Sequence, residues 1–330
     1  MAISHIYLGD CSRLKNLYKK ASRNEPLSLV FLGASVTMAY MIEPQHQFLT
    51  AVKQYFENTY HATDITVHNM GTPGMTSLHG LYRSYTELEE KKPDLVVIDY
   101  AVNDQKSAPY RDCYESLLAR CLSLPSEPAV FSFFVQTQDG YTCAPQMAAA
   151  NQHYGVPYVN IGSWIMEDIQ NGLFRWENYS YDDRHPGPFG HTWIGRRMVD
   201  FLKIVADAPE QHIPFPTNSF YDRSLANLDF ESIQWENNPG TPATPLVLHK
   251  QCKVFFLIYD VGISSEYGNI QIEVDGEDIH IIDSYRVHEW DHVHEDLLYL
   301  SRKSKEHEIC IRMQPGNENK YFHIHGFGFA

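Results

Sequence analysis

Between residues 27 and 208 the sequence alternates short apolar runs with stretches whose apolar residues recur every three or four positions, and few folds accommodate that alternation. The runs are SLVFLG (28–33), ITVHNM (65–70), DLVVIDYA (94–101), AVFSFF (129–134) and PYVNI (157–161). Between them lie Phe48, Val52, Tyr55 and Phe56, then Leu78, Leu81, Tyr82, Tyr85 and Leu88, then Tyr110, Tyr114, Leu117 and Cys121, each set falling on one face of a helix. A last helix after Gly190 carries Ile194, Met198, Phe201 and Val205, and an opening helix follows an Asp10 cap. Strand and helix in turn predict βαβ units around a parallel sheet, an α/β fold class.

The pattern changes near HIPFPTNSF (212–220), where two prolines and polar residues interrupt the periodicity, so the domains are expected to be 1–211 and 212–330. Beyond that point Ile270, Ile272 and Val274 alternate with polar neighbours, Asp275-Gly276 supplies a hairpin turn, and EICIRM and FHIHGF alternate again. This half predicts an antiparallel β-sandwich, jelly-roll-like in outline.

Charge narrows the partners. Forty-one acidic against 26 basic side chains leave a formal charge of −15, so a phosphate backbone or an anionic bilayer meets repulsion first and neither nucleic acid nor membrane is expected. No apolar run approaches the roughly 20 residues of a membrane span, and the first twenty residues lack the continuous apolar core of a signal peptide, which predicts a cytoplasmic protein. The six cysteines are scattered without a CxxC, as reduced thiols are. A homo-oligomer is compatible with the sequence, which does not fix the oligomeric state.

Four fragments carry chemistry. Strand 28–33 ends in Gly33-Ala34-Ser35-Val36-Thr37, which places Ser35 at the carboxyl edge of the sheet, where open α/β folds hold ligands. Asp182-Asp183-Arg184-His185-Pro186 puts a carboxylate three residues before a histidine, so Asp182 can hold one ring nitrogen while the other takes a proton. After the second strand Gly74 can offer an unobstructed backbone N–H, and after the third Asn103 can offer a side-chain amide; an oxyanion hole needs such donors. Each fragment alone is an ordinary turn or cap, whereas all four in this order, at strand ends or before the last helix, are not.

In that order the sequence resembles the SGNH (GDSL-like) hydrolases over residues 27–208, whose four blocks contribute Ser, Gly, Asn and His. The resemblance implies a flavodoxin-like three-layer sandwich and a serine esterase with Ser35, Asp182 and His185 as triad, and with the Ser35 N–H, Gly74 and Asn103 as oxyanion donors. Ala34 departs from the aspartate of the GDS form, and Ala101 from the glycine that usually precedes the block-three asparagine by two. A catalytic domain of this kind followed by a β-sandwich resembles the two-domain acetylmannan esterases of carbohydrate esterase family 17, which implies a carbohydrate-binding-like module and an acetylated oligosaccharide as substrate. Trp176 and Tyr179, just before the triad, and Trp290, within the polar stretch 288–294, are the candidate sugar platforms. The alternatives are a lipid or thioester hydrolase of the same fold and a non-catalytic carbohydrate-binding protein. No cofactor is called for, and no metal: His323 and His325 fall on one side of the last strand but lack a third ligand at convincing spacing.

Overall fold

The structure is a computed structural model that describes residues 4–287 and 290–330. It divides into two compact units, Met1–Ala226 and Asn227–Ala330.

In the first unit the strands are β1 (Ile6–Tyr7), β2 (Leu27–Gly33), β3 (Ile65–Gly71), β4 (Leu95–Asp99), β5 (Ala129–Phe133) and β6 (Tyr158–Val159), in the sheet order β1-β6-β5-β4-β2-β3. β2 to β6 run parallel, and the short β1 adds antiparallel to β6. All five expected strands form, with ends displaced by a few residues, and the α/β class stands. Apolar residues on both strand faces explain the layering. Leu29, Phe31, Val97, Phe131 and Phe133 pack in one core with Leu17, Val52, Phe56 and Phe201 of the helices Ser12–Ser22, Phe48–Tyr60 and Pro188–Asp207. Val30, Leu32, Val96 and Ile98 of the opposite face are equally buried, on the side served by helices Ser77–Arg83 and Ala108–Leu122.

The segment 212–226, expected to open the second domain, belongs to the first unit instead. Its backbone is held by two carboxylates, one half-buried and one fully buried. Asp10 accepts from the Ile213 N–H at 2.8 Å, and Glu115, fully buried in the helix Ala108–Leu122, accepts from the N–H groups of Phe220 and Tyr221 at 2.7 and 2.6 Å and from the Tyr154 hydroxyl at 2.6 Å. The prolines mark the end of periodic structure, and the contacts that end the unit come later. A chain ended after Gln211 leaves Glu115 buried with two donors gone, so it should be less stable than one ended after Ala226 by on the order of 3 kcal/mol; urea denaturation of the two chains checks this.

The second unit is a β-sandwich, as its period-two sequence predicts. Its strands are β7 (Asp229–Glu231), β8 (Trp235–Asn237), β9 (Leu246–Cys252), β10 (Val254–Val261), β11 (Asn269–Val274), β12 (Asp278–Asp283), β13 (His292–Tyr299), β14 (Lys305–Met313) and β15 (Phe322–Phe329). One sheet is β13-β10-β15-β7, with β8 also pairing β15, and the other is β12-β11-β14-β9; all pairings are antiparallel. Phe255, Leu257 and Tyr259 of the first sheet meet Ile270, Ile272, Ile309 and Ile311 of the second in a single core.

Candidate active site

β2 pairs with β3 on one side and β4 on the other, and Gly33, Gly71 and Asp99 share one register level, so the loops leaving these three strands emerge side by side. Ser35 leaves the middle strand, Gly74 follows β3 and Asn103 follows β4. The parallel order β3-β2-β4-β5-β6 changes direction between β2 and β4, and ligands of open α/β sheets bind outside the strand ends at such a switch. Topology alone therefore flanks Ser35 with the loops that carry Gly74 and Asn103.

Ser35 opens the short helix Ser35–Met38 and is half-buried. That helix crosses close over Gly71, where a Cβ would stand 2.2 Å from the Met38 nitrogen, so only glycine fits. Gly74 is exposed and has φ +73°, a backbone state that favours glycine. Asn103 is half-buried in the turn after β4, its N–H donating to the Tyr100 carbonyl at 3.1 Å.

Asp182 and His185 lie in a loop whose ends are pinned from several directions. Trp176 Nε1 donates to the Asp182 carbonyl at 2.7 Å, the Tyr181 N–H to the His185 carbonyl at 3.0 Å and the Gln138 N–H to the Asp183 carbonyl at 2.8 Å. His185 Nε2 stands 3.0 Å from Ser35 Oγ, and its Nδ1 stands 2.7 Å from Asp182 Oδ2. The other carboxylate oxygen, Oδ1, accepts from the N–H groups of Arg184 and His185 at 2.8 and 2.7 Å. Burial works to raise the Asp182 pKa, but these hydrogen bonds outweigh it and hold the carboxyl below its ordinary value. An ionised Asp182 fixes the ring with Nδ1–H toward itself and Nε2 as acceptor for the serine proton. The site is open: the His185 and Asp182 side chains are 45% and 48% exposed.

Two buried carboxyls beneath this edge had no role in the sequence reading. Asp104 accepts from the Ser77 N–H at 2.7 Å and from Ser77 Oγ at 2.6 Å, while its own carbonyl accepts from the Tyr141 hydroxyl at 2.6 Å. It thereby ties the loop that carries Asn103 to the helix start that follows Gly74. Burial pushes its carboxyl up to about 7, against the lowering effect of the Ser77 bonds. Asp99, at the end of β4, is pushed up to about 8, chiefly by burial, with the nearby Asp104 adding to it and a backbone bond from Ala101 opposing; its Oδ1 has no hydrogen-bond partner among the described residues.

A carboxyl raised in the folded state binds more protons there than in the unfolded chain. The stability associated with neutral Asp99 is thus full below an unfolded pKa of about 4 and is lost as pH rises through about 8. Asp99→Asn, neutral throughout, should gain on wild type by on the order of a few kcal/mol between pH 5 and 9. Urea denaturation at the two pH values measures it, and an unchanged difference would refute a buried neutral Asp99.

Three aromatic residues expected to face a sugar divide differently. Trp176 and Tyr179 are only 6% and 2% exposed and belong to the core of the first unit, so neither presents a ring face to a ligand. Their rings are spent on packing, and the Trp176 indole on holding the Asp182 loop. Trp290 is 43% exposed in the second unit, its ring centroid 5.0 Å from that of His292; His288 and Glu289 of the same polar stretch lie outside the described residues. Close in sequence to the triad residues, the exposed large apolar side chains include Tyr181, next to Asp182, Phe189, four residues after His185, and Tyr40 and Met41, just after the Ser35 helix. Tyr181 lies two residues past the pair chosen from sequence.

No family model matches this chain, and no curated protein matches it. Among solved structures it is similar to a two-domain esterase (CEX) active on acetylated mannans, co-crystallised with mannopentaose, at 20% identity over 97% of this chain and 95% of that one, with a TM-score of 0.83. A second crystal structure of a two-domain esterase (CEX) active on acetylated mannans gives 20% identity, the same coverage and a TM-score of 0.85. The likeness takes in both units, and the chain has the fold of that esterase.

Proposed function

We propose that the protein is a serine esterase of the SGNH type that removes O-acetyl groups from acetylated oligosaccharides, with mannooligosaccharides as the first substrate to test. The observation that carries this reading is the continuous Ser35–His185–Asp182 chain at the sheet's switch point. His185 Nε2 takes the Ser35 proton as Oγ attacks the acetyl carbonyl, and Asp182 stabilises the imidazolium. The Ser35 N–H, the Gly74 N–H and the Asn103 amide receive the oxyanion. Collapse of the adduct returns the proton from His185 to the departing sugar hydroxyl, leaving acetyl on Ser35, and water repeats the sequence to release acetate.

An open triad suits a small acyl group on a bulky, hydrated chain, whereas a long lipid acyl group calls for an apolar channel to cover it. The similar esterase acts on acetylated mannans, which favours that sugar over others. Loss of acetyl signals from acetylated mannooligosaccharides, followed by NMR, tests the reading; faster turnover of long-chain acyl esters would favour a lipid hydrolase, and no turnover of any ester, with no fluorophosphonate adduct on Ser35, would favour a binding protein.

Exposed rings are the groups that would hold the sugar, with the second unit contributing recognition and not chemistry. Tyr181→Ala should raise KM for acetylated oligosaccharides about 3- to 10-fold while leaving turnover of a small aryl acetate nearly unchanged, since its backbone N–H to His185 remains. Trp290→Ala should act in the same direction. Equal losses on both substrates in Tyr181→Ala would mean that this ring supports the triad and does not contact sugar.

A further inference from the structure

In β10, VFFLIYDV, Asp260 is the one charged residue. Phe255, Leu257, Tyr259 and Val261 point into the sandwich core, so by strand alternation Asp260 lies on the opposite face. The neighbouring β15 reads FHIHGFGF: Phe322 and Ile324 join the same core, which puts His323 and His325 on the face of Asp260. The pairing then slips. Ile258 pairs with Gly326 but Tyr259 with Ile324, leaving His325 as the extra residue of a β-bulge, after which Phe327 and Phe329 take over the core positions. Bulges re-aim side chains, and they recur beside functional sites.

Here the bulge brings two imidazoles onto one carboxylate. His323 Nδ1 stands 3.0 Å from Asp260 Oδ2 and His325 Nε2 stands 2.7 Å from Oδ1, with the ring centroids 4.3 Å apart. The three candidate ligand atoms all lie within 4.8 Å of one another, and the side chains are 21%, 29% and 25% exposed, sheltered yet reachable. Tyr321 packs edge-on against Tyr267 nearby, and Glu236 lies directly across from His323 on β8. A simple ion pair needs one histidine. Two, converging through different ring nitrogens and aimed by a bulge, form a donor set.

We propose that Asp260, His323 and His325 of the second unit bind a divalent transition-metal ion of the Zn²⁺ class, with an open coordination position left for water or an exogenous oxygen ligand. Imidazole and carboxylate donors suit Zn²⁺, Co²⁺ and Ni²⁺, whereas Ca²⁺ prefers an all-oxygen shell. Direct hydrogen bonds link these groups now; modest separation of Asp260 from the two rings would admit an ion at about 2.0–2.2 Å from each ligand atom. Ligation requires imidazoles with free lone pairs, so uptake competes with protons.

The test uses the full chain stripped with EDTA, reloaded with Zn²⁺ and dialysed free of excess metal. Wild type should retain one equivalent of Zn²⁺, show d–d bands on adding one equivalent of Co²⁺, and melt at a higher temperature with Zn²⁺, since an ion bound only to the folded state stabilises it. His323→Gln and His325→Gln should each lose the equivalent and the thermal shift, and His185→Gln should keep both, which separates this site from the triad. Ca²⁺ in excess should not displace Zn²⁺. Metal retention unaltered by either β15 substitution would overturn the proposal. Should those variants not fold, the wild-type titration decides alone: no d–d bands at one equivalent of Co²⁺ means the cluster is only a hydrogen-bonded carboxylate and two imidazoles.

Discussion

Ser35→Ala should abolish ester hydrolysis, with a fall in kcat on the order of 10⁴ or more, while the protein keeps its fold and melting temperature within a few degrees. The substitution removes one half-buried hydroxyl that is hydrogen-bonded to His185, so little packing is lost. His185→Ala should cost about as much and Asp182→Asn somewhat less, because members of a triad act as a unit. In Asp182→Asn the acceptor oxygens facing Nδ1 and the loop N–H groups can be kept only in part, which also loosens the loop. Stopped acetate release with unchanged circular dichroism is the expected result; retention of more than a trace of activity by a folded Ser35→Ala would sink the triad assignment.

A second Ser–His–Asp chain supplies the control. In the sandwich, His307 Nδ1 lies 2.9 Å from Asp275 Oδ2 and its Nε2 lies 3.1 Å from Ser301 Oγ. Yet the Ser301 hydroxyl donates to the Lys303 carbonyl at 2.7 Å, so its proton is directed away from the ring, and His307 is fully buried. Asp275, held down to about 2 first by the Glu308 N–H and then by Lys305, is bound into the β-hairpin it begins. Three residue types at triad distances do not make a nucleophile. Position at a strand edge, a free acceptor nitrogen and access do, and Ser301→Ala should leave esterase turnover intact.

The same distinction explains what could be read from the sequence. The strands and their order of use were legible because burial on both faces leaves continuous apolar runs, and Ser35, Gly74, Asn103, Asp182 and His185 could be singled out because each follows a strand or precedes the last helix. Trp176 and Tyr179 were misplaced because a ring beside a polar loop reads alike whether it faces inward or outward; burial depends on contacts that are distant in the chain. The end of the first unit was set too early for the same reason, since Glu115 reaches the 220–221 backbone across more than one hundred residues. Asp260 could not be joined to His323 and His325 without knowing that β10 pairs with β15. Pairwise chemistry is local in space and only sometimes local in sequence.

Asp104 is the strongest instance, because beside Asn103 it resembles an ordinary turn acid and yet it couples two loops of the site. Asp104→Ala would leave the buried Ser77 N–H and hydroxyl without their acceptor and open a cavity, a loss of about 2–4 kcal/mol in stability. It would also release the Asn103 turn from the helix that follows Gly74, and displacement of oxyanion donors is costly: removing one from such a site lowers kcat about 10²- to 10³-fold. The expected result for Asp104→Ala is therefore a fall in kcat of about 10- to 100-fold with little change in KM, because Asp104 is a positioning residue that touches no substrate. Asp104→Asn separates this from mere instability. Its amide oxygen can accept from the Ser77 N–H while its amide nitrogen donates to Ser77 Oγ, reproducing the bonding of a protonated carboxyl, and burial already drives Asp104 toward that form. Asp104→Asn should restore most of kcat at neutral pH and flatten the decline in stability that wild type shows from an unfolded pKa of about 4 up to about pH 7, over which only the unfolded chain readily ionises this acid. If Asp104→Ala, shown folded at the assay temperature, turned over acetyl esters like wild type, the two loops would not depend on this carboxyl for their alignment.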